Sequence, residues 1–398
     1  MQRYRTGIIV AVLTVFVVAA CAPAPAVTPE PPAKFQEISQ EWIADLTERL
    51  AQPLTPHGPN NEEVMSGALL ELSEEEIAQA RALDLREYYY MGATLDVTEQ
   101  LNELGMNRVL AAIGAEPIPF LGSASIGEQM DQVRTLAGKA DDVSFVIAQA
   151  FEAVALGPSF VELADAGVWQ AHNWTTPHGL AGHPRFVGLV DADGYGQGAA
   201  AAEILAHAMN YQGEVGIIYF GLEQWTNVMR LQGAEDTFAK YPNISVVARR
   251  SFTDPAEGLE IARGMLTAHP EIDAVWATWM IGPGTGAAEA VEALGRRGEV
   301  IVAAPDLGGE LGARLIADPN PIVIGAGEAD LIEMGENSSR AVIKALLGQE
   351  DVVGRYFVSR VFPVVRANLP AVWTETNEPL FGPLPDAVRD LLEQPLVW

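Results

Sequence analysis

Basic residues are scarce in this chain, cysteine is nearly absent, and no apolar run is long enough for a comfortable permanent membrane span. The 24 lysines and arginines face 53 aspartates and glutamates, a formal charge of −29. A field of that sign repels phosphate backbones, and no lysine–arginine cluster offsets it locally, so nucleic acid is excluded as a partner. The single cysteine, Cys21, can form no internal disulfide framework. G-x-S-x-G, a paired base and nucleophile, and two carboxylates with a clear common site are also missing, so an enzyme has no positive support. His172, His178 and His183 lie close together. They occupy an irregular proline-containing stretch without the H-x-x-x-H register, which is not a metal-binding pattern. No metal and no cofactor is expected.

What is present reads as an exported two-domain protein. With 398 residues, 49% of them apolar, the chain is long enough for two cores. Met1 to Arg5 carries two arginines, and the uncharged run Thr6 to Ala20 has the length of an export signal rather than of a permanent span. The run ends Val18-Ala19-Ala20-Cys21, which resembles the lipobox of bacterial lipoproteins. That resemblance implies a signal peptide over 1–20, lipidation of Cys21, and anchorage at the outer face of the cytoplasmic membrane, at the cell surface or in a periplasm.

Residues 21–34 are proline-rich and read as an extended tether. Phe35, Ile38, Trp42, Ile43, Leu46 and Leu50 recur at helical spacing, so 35–82 reads as a helical extension. Within it, Ser73 and Glu76 have capping-box spacing. From about residue 84 short apolar runs alternate with longer amphipathic stretches, the pattern of parallel strands with crossover helices. Strands are expected near 86–91, 117–121, 143–148, 168–172, 186–190, 214–220, 244–249, 274–278, 300–304 and 321–325. So many strands suit two Rossmann-like α/β lobes better than one sheet.

Two stretches carry a family resemblance. One is Arg230-Leu-Gln-Gly233 with Phe238-Ala-Lys-Tyr-Pro242 and Val246-Val247; the other runs Thr267-Ala-His-Pro270-Glu-Ile-Asp273-Ala-Val-Trp-Ala-Thr-Trp279 and ends in Gly286 to Leu294. They resemble the type 1 periplasmic binding proteins, the ribose-binding group that feeds ABC importers. The resemblance implies a Venus-flytrap clamp, with residues 83–181 and 329–352 forming an N-terminal lobe and 182–328 and 353–398 a C-terminal lobe. It implies hinges near residues 181, 328 and 352, and capture of a small polar solute, a sugar or polyol, for an ABC transporter permease. Asp306 matches the family's cleft aspartate, and Asn173 the polar residue at the first lobe's rim.

Sugars present ring faces and hydroxyls, so their sites combine aromatic faces with carboxylates, amides and arginines on the loops after strand C-termini. Those loops add Asp96, Trp174, Trp225, Asn227, Trp279 and Glu328 as expected ligand-binding residues, with His172 at the rim. Where relatives carry paired aromatics the chain has Thr98, Glu99 and Gln100, and where they carry a sugar-gripping arginine it has Val228, with Arg230 two residues on. The glycines of Gly194-Tyr-Gly196-Gln-Gly198 fail the dinucleotide fingerprint and read as a flexible helix entry. A sensory receptor of the same fold, a binder of a non-sugar solute and a surface enzyme are the other readings open to the sequence.

Overall fold

The computed structural model describes residues 34–93 and 95–397. The expected signal peptide, Cys21 and the tether up to residue 33 lie outside the described residues, as do Thr94 and Trp398. Among the described residues no helix is long and apolar enough to cross a membrane.

The strands are β1 (Val64–Ser66), β2 (Glu87–Gly92), β3 (Phe120–Gly122), β4 (Val143–Gln149), β5 (Trp169–Asn173), β6 (Phe186–Ala192), β7 (Gln212–Phe220), β8 (Asn243–Phe252), β9 (Ala274–Ala277), β10 (Ile301–Pro305), β11 (Val323–Ala329), β12 (Arg355–Ser359) and β13 (Val361–Val365). They form two sheets. The first has the order β1-β12-β6-β5-β4-β2-β3 and is parallel throughout. The second has the order β13-β11-β10-β9-β7-β8, parallel except where β13 runs against β11. Helices cover both faces of each sheet, which is why β6 and β11 are buried at every residue and read as continuous rather than alternating apolar runs.

The chain passes between the lobes at Asp193, Asp330 and Arg360. After β6 in the first sheet, the helix Gly194–Ala208 packs on β10, β11 and β13 of the second. After β11, the helix Leu331–Leu346 returns to the first lobe beside the helix Val97–Ala112. Arg360 alone separates β12 of the first sheet from β13 of the second. These passages correct the boundaries drawn from sequence at residues 181, 328 and 352. β6 and β12 were expected in the C-terminal lobe and pair instead in the first sheet, with each other and, for β6, with β5. Strand pairing is non-local, so a chain that changes sheet shows no local break there. Arg360 Nη2 donates to Asp330 at 2.7 Å and the Arg360 amide to Glu333 at 2.9 Å, tying the second and third passages together.

The N-terminal extension spans both lobes. Its helix Gln40–Arg49 begins at the cap Ser39, and Phe35, Ile38, Ile43, Leu46 and Leu50 join the second-lobe core with Leu205 and Trp276. Each such side chain contributes on the order of 1.5–3 kcal/mol by burial, so this helix is part of the body. Beyond it, the amides of Leu54 and Thr55 donate to Asp193 at 2.5 and 3.0 Å, and the Thr55 hydroxyl does so at 2.6 Å. The extension then adds β1 to β12 of the first sheet and buries Leu70 in the first-lobe core. The expected capping box forms at Ser73 and Glu76, and Glu76 also accepts from Lys344 at 2.6 Å. Those bonds hold the Glu76 carboxyl down at about 2, the amide of Gln349 first and then Lys344.

Candidate functional site

A cavity of about 520 Å³ opens between the C-terminal ends of the two sheets. Six of the residues expected from sequence line it: Asp96, Trp174, Asn227, Trp279, Asp306 and Glu328. This is the place that open α/β sheets reserve for ligands, because the loops after the strand ends are free of the packing that fixes the strands themselves.

Asp306 follows β10 in the left-handed region, with φ at 62°. Its Oδ1 accepts from Arg230 Nη2 at 2.9 Å and from Gln197 Nε2 at 2.8 Å. Arg230, only 4% exposed, also donates to the Gln197 amide oxygen through Nε at 3.1 Å and Nη2 at 2.9 Å. Its guanidinium lies 5.9 Å from the ring centre of Trp174, so a second-lobe cation meets a first-lobe aromatic face. Trp279 is held edge-on by Phe220 and Phe252, with ring centres 5.2 and 4.9 Å away. Asn227 accepts from the Thr278 hydroxyl at 3.2 Å. Glu328 is 3% exposed and takes the Leu307 amide on one oxygen and Asn377 Nδ2, at 3.4 Å, on the other. Burial, then the neighbouring Asp306, pushes its carboxyl up to about 8. Asp96 caps the helix Val97–Ala112, accepting from the Thr98 amide at 2.8 Å.

Asn173 and Trp225 are not in the lining. Asn173 ends β5 with its amide turned inward, donating to the Val190 carbonyl and, at 3.1 Å, to Ser338. Trp174 turns into the cavity in its place because its φ of 65° reverses the chain there. Trp225 starts the helix Trp225–Ala239 and faces away, with its ring centre 5.6 Å from that of His57 and its packing against Leu189, Tyr356 and Val358. His172 is not at the rim either. It is fully buried between Phe160 and Phe186, and burial depresses its imidazole to about 3. Cys21 lies outside the described residues.

Arg230, Gln149, Glu99, Gln224 and Asn377 also line the cavity, and none was singled out as a site residue from sequence. Arg230 sits in the second turn of a helix rather than on a loop, where an arginine reads as surface; Val228, two residues before it, is 41% exposed. Asn377 ends the helix Leu369–Thr376, far from the other lining residues in sequence. The glycines after Asp193 prove to be packing positions: a Cβ on Gly198 would stand 1.9 Å from the Arg230 carbonyl oxygen. Their role is close helix approach, not flexibility.

No curated protein sequence matches the chain. Among solved structures, a carbohydrate transporter solute-binding protein from Agrobacterium radiobacter, in complex with D-arabinose, aligns at a TM-score of 0.61 and 20% identity over 74% of this chain and 100% of its own. A glucose-galactose binding protein from Geobacillus stearothermophilus aligns at 0.63 and 20% identity over 72% of this chain and 100% of its own. An ABC transporter solute-binding protein from Bacillus halodurans with bound myo-inositol aligns at 0.60 and 18% identity over 74% and 99%. At these identities the likeness establishes the two-lobed fold. In sequence, the pattern of the periplasmic binding protein domain matches residues 90–320, more than half of the chain and most of both sheets around the cleft. The chain therefore belongs to the periplasmic binding protein family, whose members bind solutes and are not enzymes.

Proposed function

We propose that the protein is the extracytoplasmic capture component of an ABC importer, held to the membrane by lipid on Cys21, and that it takes a sugar or polyol into the cleft. The observation that carries this reading is the convergence, from both lobes, of indole faces, carboxyls, amides and a guanidinium on one cavity of about 520 Å³. That volume suits a small solute, and the mixture suits a ring with hydroxyls around it. The passages at Asp193, Asp330 and Arg360 lie on one side of the clamp, and rotation about them opens or closes the cleft without repacking either core. Solute that touches both lobes favours the closed form, and that form is the one a permease distinguishes from the empty clamp. The sugars and the inositol bound to the structural neighbours support the reading.

The test is a thermal-shift panel of pentoses, hexoses, inositols, nucleosides and amino acids. A binder gains stability once ligand exceeds its dissociation constant, by about 2.7 kcal/mol at a hundredfold excess over it. Stabilisation by a sugar or polyol is expected; stabilisation by nucleosides or amino acids alone would overturn the carbohydrate assignment.

A further inference from the structure

The charges facing the cleft do not balance. Asp96 and Glu99 line it from the first lobe and Asp306 and Glu328 from the second, while Arg230 is the one lysine or arginine in the lining among the described residues. Arg230 is committed: its N–H groups go to Gln197, to Asp306 and, at 3.4 Å, to the Thr278 carbonyl. Asp306 is thereby matched, and Asp96 is engaged in capping its helix. Glu99 and Glu328 have no cation beside them, although Glu328 accepts from the Leu307 amide and, at 3.4 Å, from Asn377. They are 5% and 3% exposed, they line the cavity, and among the described residues neither forms an ion pair. The carboxyl of Glu99 lies instead against that of Asp96.

Carboxyls buried to this degree without a cation are costly as anions, and a like-charged neighbour adds to the cost. Burial, followed by Asp96, drives Glu99 up to about 9. The N-terminus of the helix Val97–Ala112 would favour an anion, but Asp96 already occupies it. A solute bearing a carboxylate or phosphate would meet Asp96 and Asp306. A solute bearing an ammonium would supply the missing charge, ionise a buried carboxyl and set its proton free.

We infer that the cleft selects a solute with an amino group, an aminated sugar or polyol, whose ammonium is taken by Glu99 and Glu328 from opposite lobes. This rests on the carbohydrate reading above and narrows it. The test is calorimetry on the full chain at pH 7 with matched pairs: D-glucosamine and D-glucose, D-galactosamine and D-galactose, 1-amino-1-deoxysorbitol and sorbitol. At least one aminated member is expected to bind about tenfold or more tightly than its neutral partner. Its binding enthalpy should change with the ionisation enthalpy of the buffer, reporting a released proton. Glu99→Gln should bring that pair to within about threefold of each other. The buffer dependence is read on the unaltered protein, so the test does not hang on how the variant folds. Neutral partners that bind as tightly, with no proton released, would overturn the inference and leave the carbohydrate reading standing. Failure of every member of every pair would overturn the inference, and the carbohydrate reading would then be decided by the pentoses and inositols of the thermal-shift panel.

Discussion

Thr226, in the first turn of a second-lobe helix, gives its hydroxyl to Asp191 at the end of β6 in the first lobe. The same hydroxyl lies 3.2 Å from the Trp174 carbonyl, and the Thr226 amide 3.4 Å from it. The lobes are thus latched beside the cleft by a residue that takes no part in its lining. Thr226→Val keeps the volume and leaves a buried carboxyl short of a donor, which costs about 1–3 kcal/mol. A lower urea midpoint with an unchanged slope is expected; an unchanged midpoint would mean the latch contributes nothing.

Asp191 and Glu328 make stability pH-dependent. Burial raises Asp191 to about 7, and burial with Asp306 raises Glu328 to about 8. Both lie above their unfolded values, so the folded protein keeps protons that the unfolded chain has released. Their contribution is full below pH about 4 and is lost as pH rises towards about 8. Melting temperatures at pH 5, 6.5 and 8 should therefore fall more steeply in the natural protein than in the Asp191→Asn, Glu328→Gln double variant. Parallel curves would show that these carboxyls are not protonated in the folded state.

Arg230 joins binding to stability. Arg230→Met leaves Asp306 and the Gln197 carbonyl without their buried donor and is expected to cost about 3–5 kcal/mol. Solute binding should be lost with it. Arg230→Lys should not restore binding, because one ammonium cannot reproduce the planar fork that serves Gln197, Asp306 and Thr278 together. Denaturation and thermal shift with a bound sugar read the two effects separately.

Gly198→Ala tests the closeness of the two helices that carry Gln197 and Arg230. The added methyl would stand 1.9 Å from a backbone oxygen, so a helix must move. A loss of about 1–3 kcal/mol and weaker solute binding are expected. Gly264→Ala, in an exposed helix position with nothing within 4 Å, should instead stabilise by about 0.5–1 kcal/mol and leave binding unchanged. Equal effects from the two substitutions would remove the packing argument.

The proposed lipidation predicts that Cys21→Ser releases the protein from the membrane fraction, because the acyl anchor would have no thiol to form on. Retention in the membrane pellet after a salt wash would show that something other than lipid on Cys21 holds it.

Much of the fold was legible because parallel strands buried on both faces announce themselves as short apolar runs. Phe186–Ala192 and Val323–Ala329 are examples, and the expected strands fall within a few residues of the observed ones. The strands β1, β12 and β13 were not legible. β1 is only Val64–Ser66, and β12 and β13 form one apolar stretch broken by Arg360. The rule that ligands gather after strand ends located Asp306, Trp279 and Trp174, but a rule about loops cannot say which neighbour faces inward. Hence the expectation covers both Asn173, which turns inward, and Trp174, which lines the cavity.

By itself the sequence determined the class of the molecule: its acidity, its lone cysteine, the strand–helix rhythm and the family all follow from residue type and spacing. Tertiary structure alone decided which lobe owns β6 and β12, how the N-terminal extension bridges Asp193, and how Arg230 reaches Asp306. Those facts depend on contacts between residues far apart in the chain. Such contacts are set by which faces find room to bury together, and local pattern does not record them.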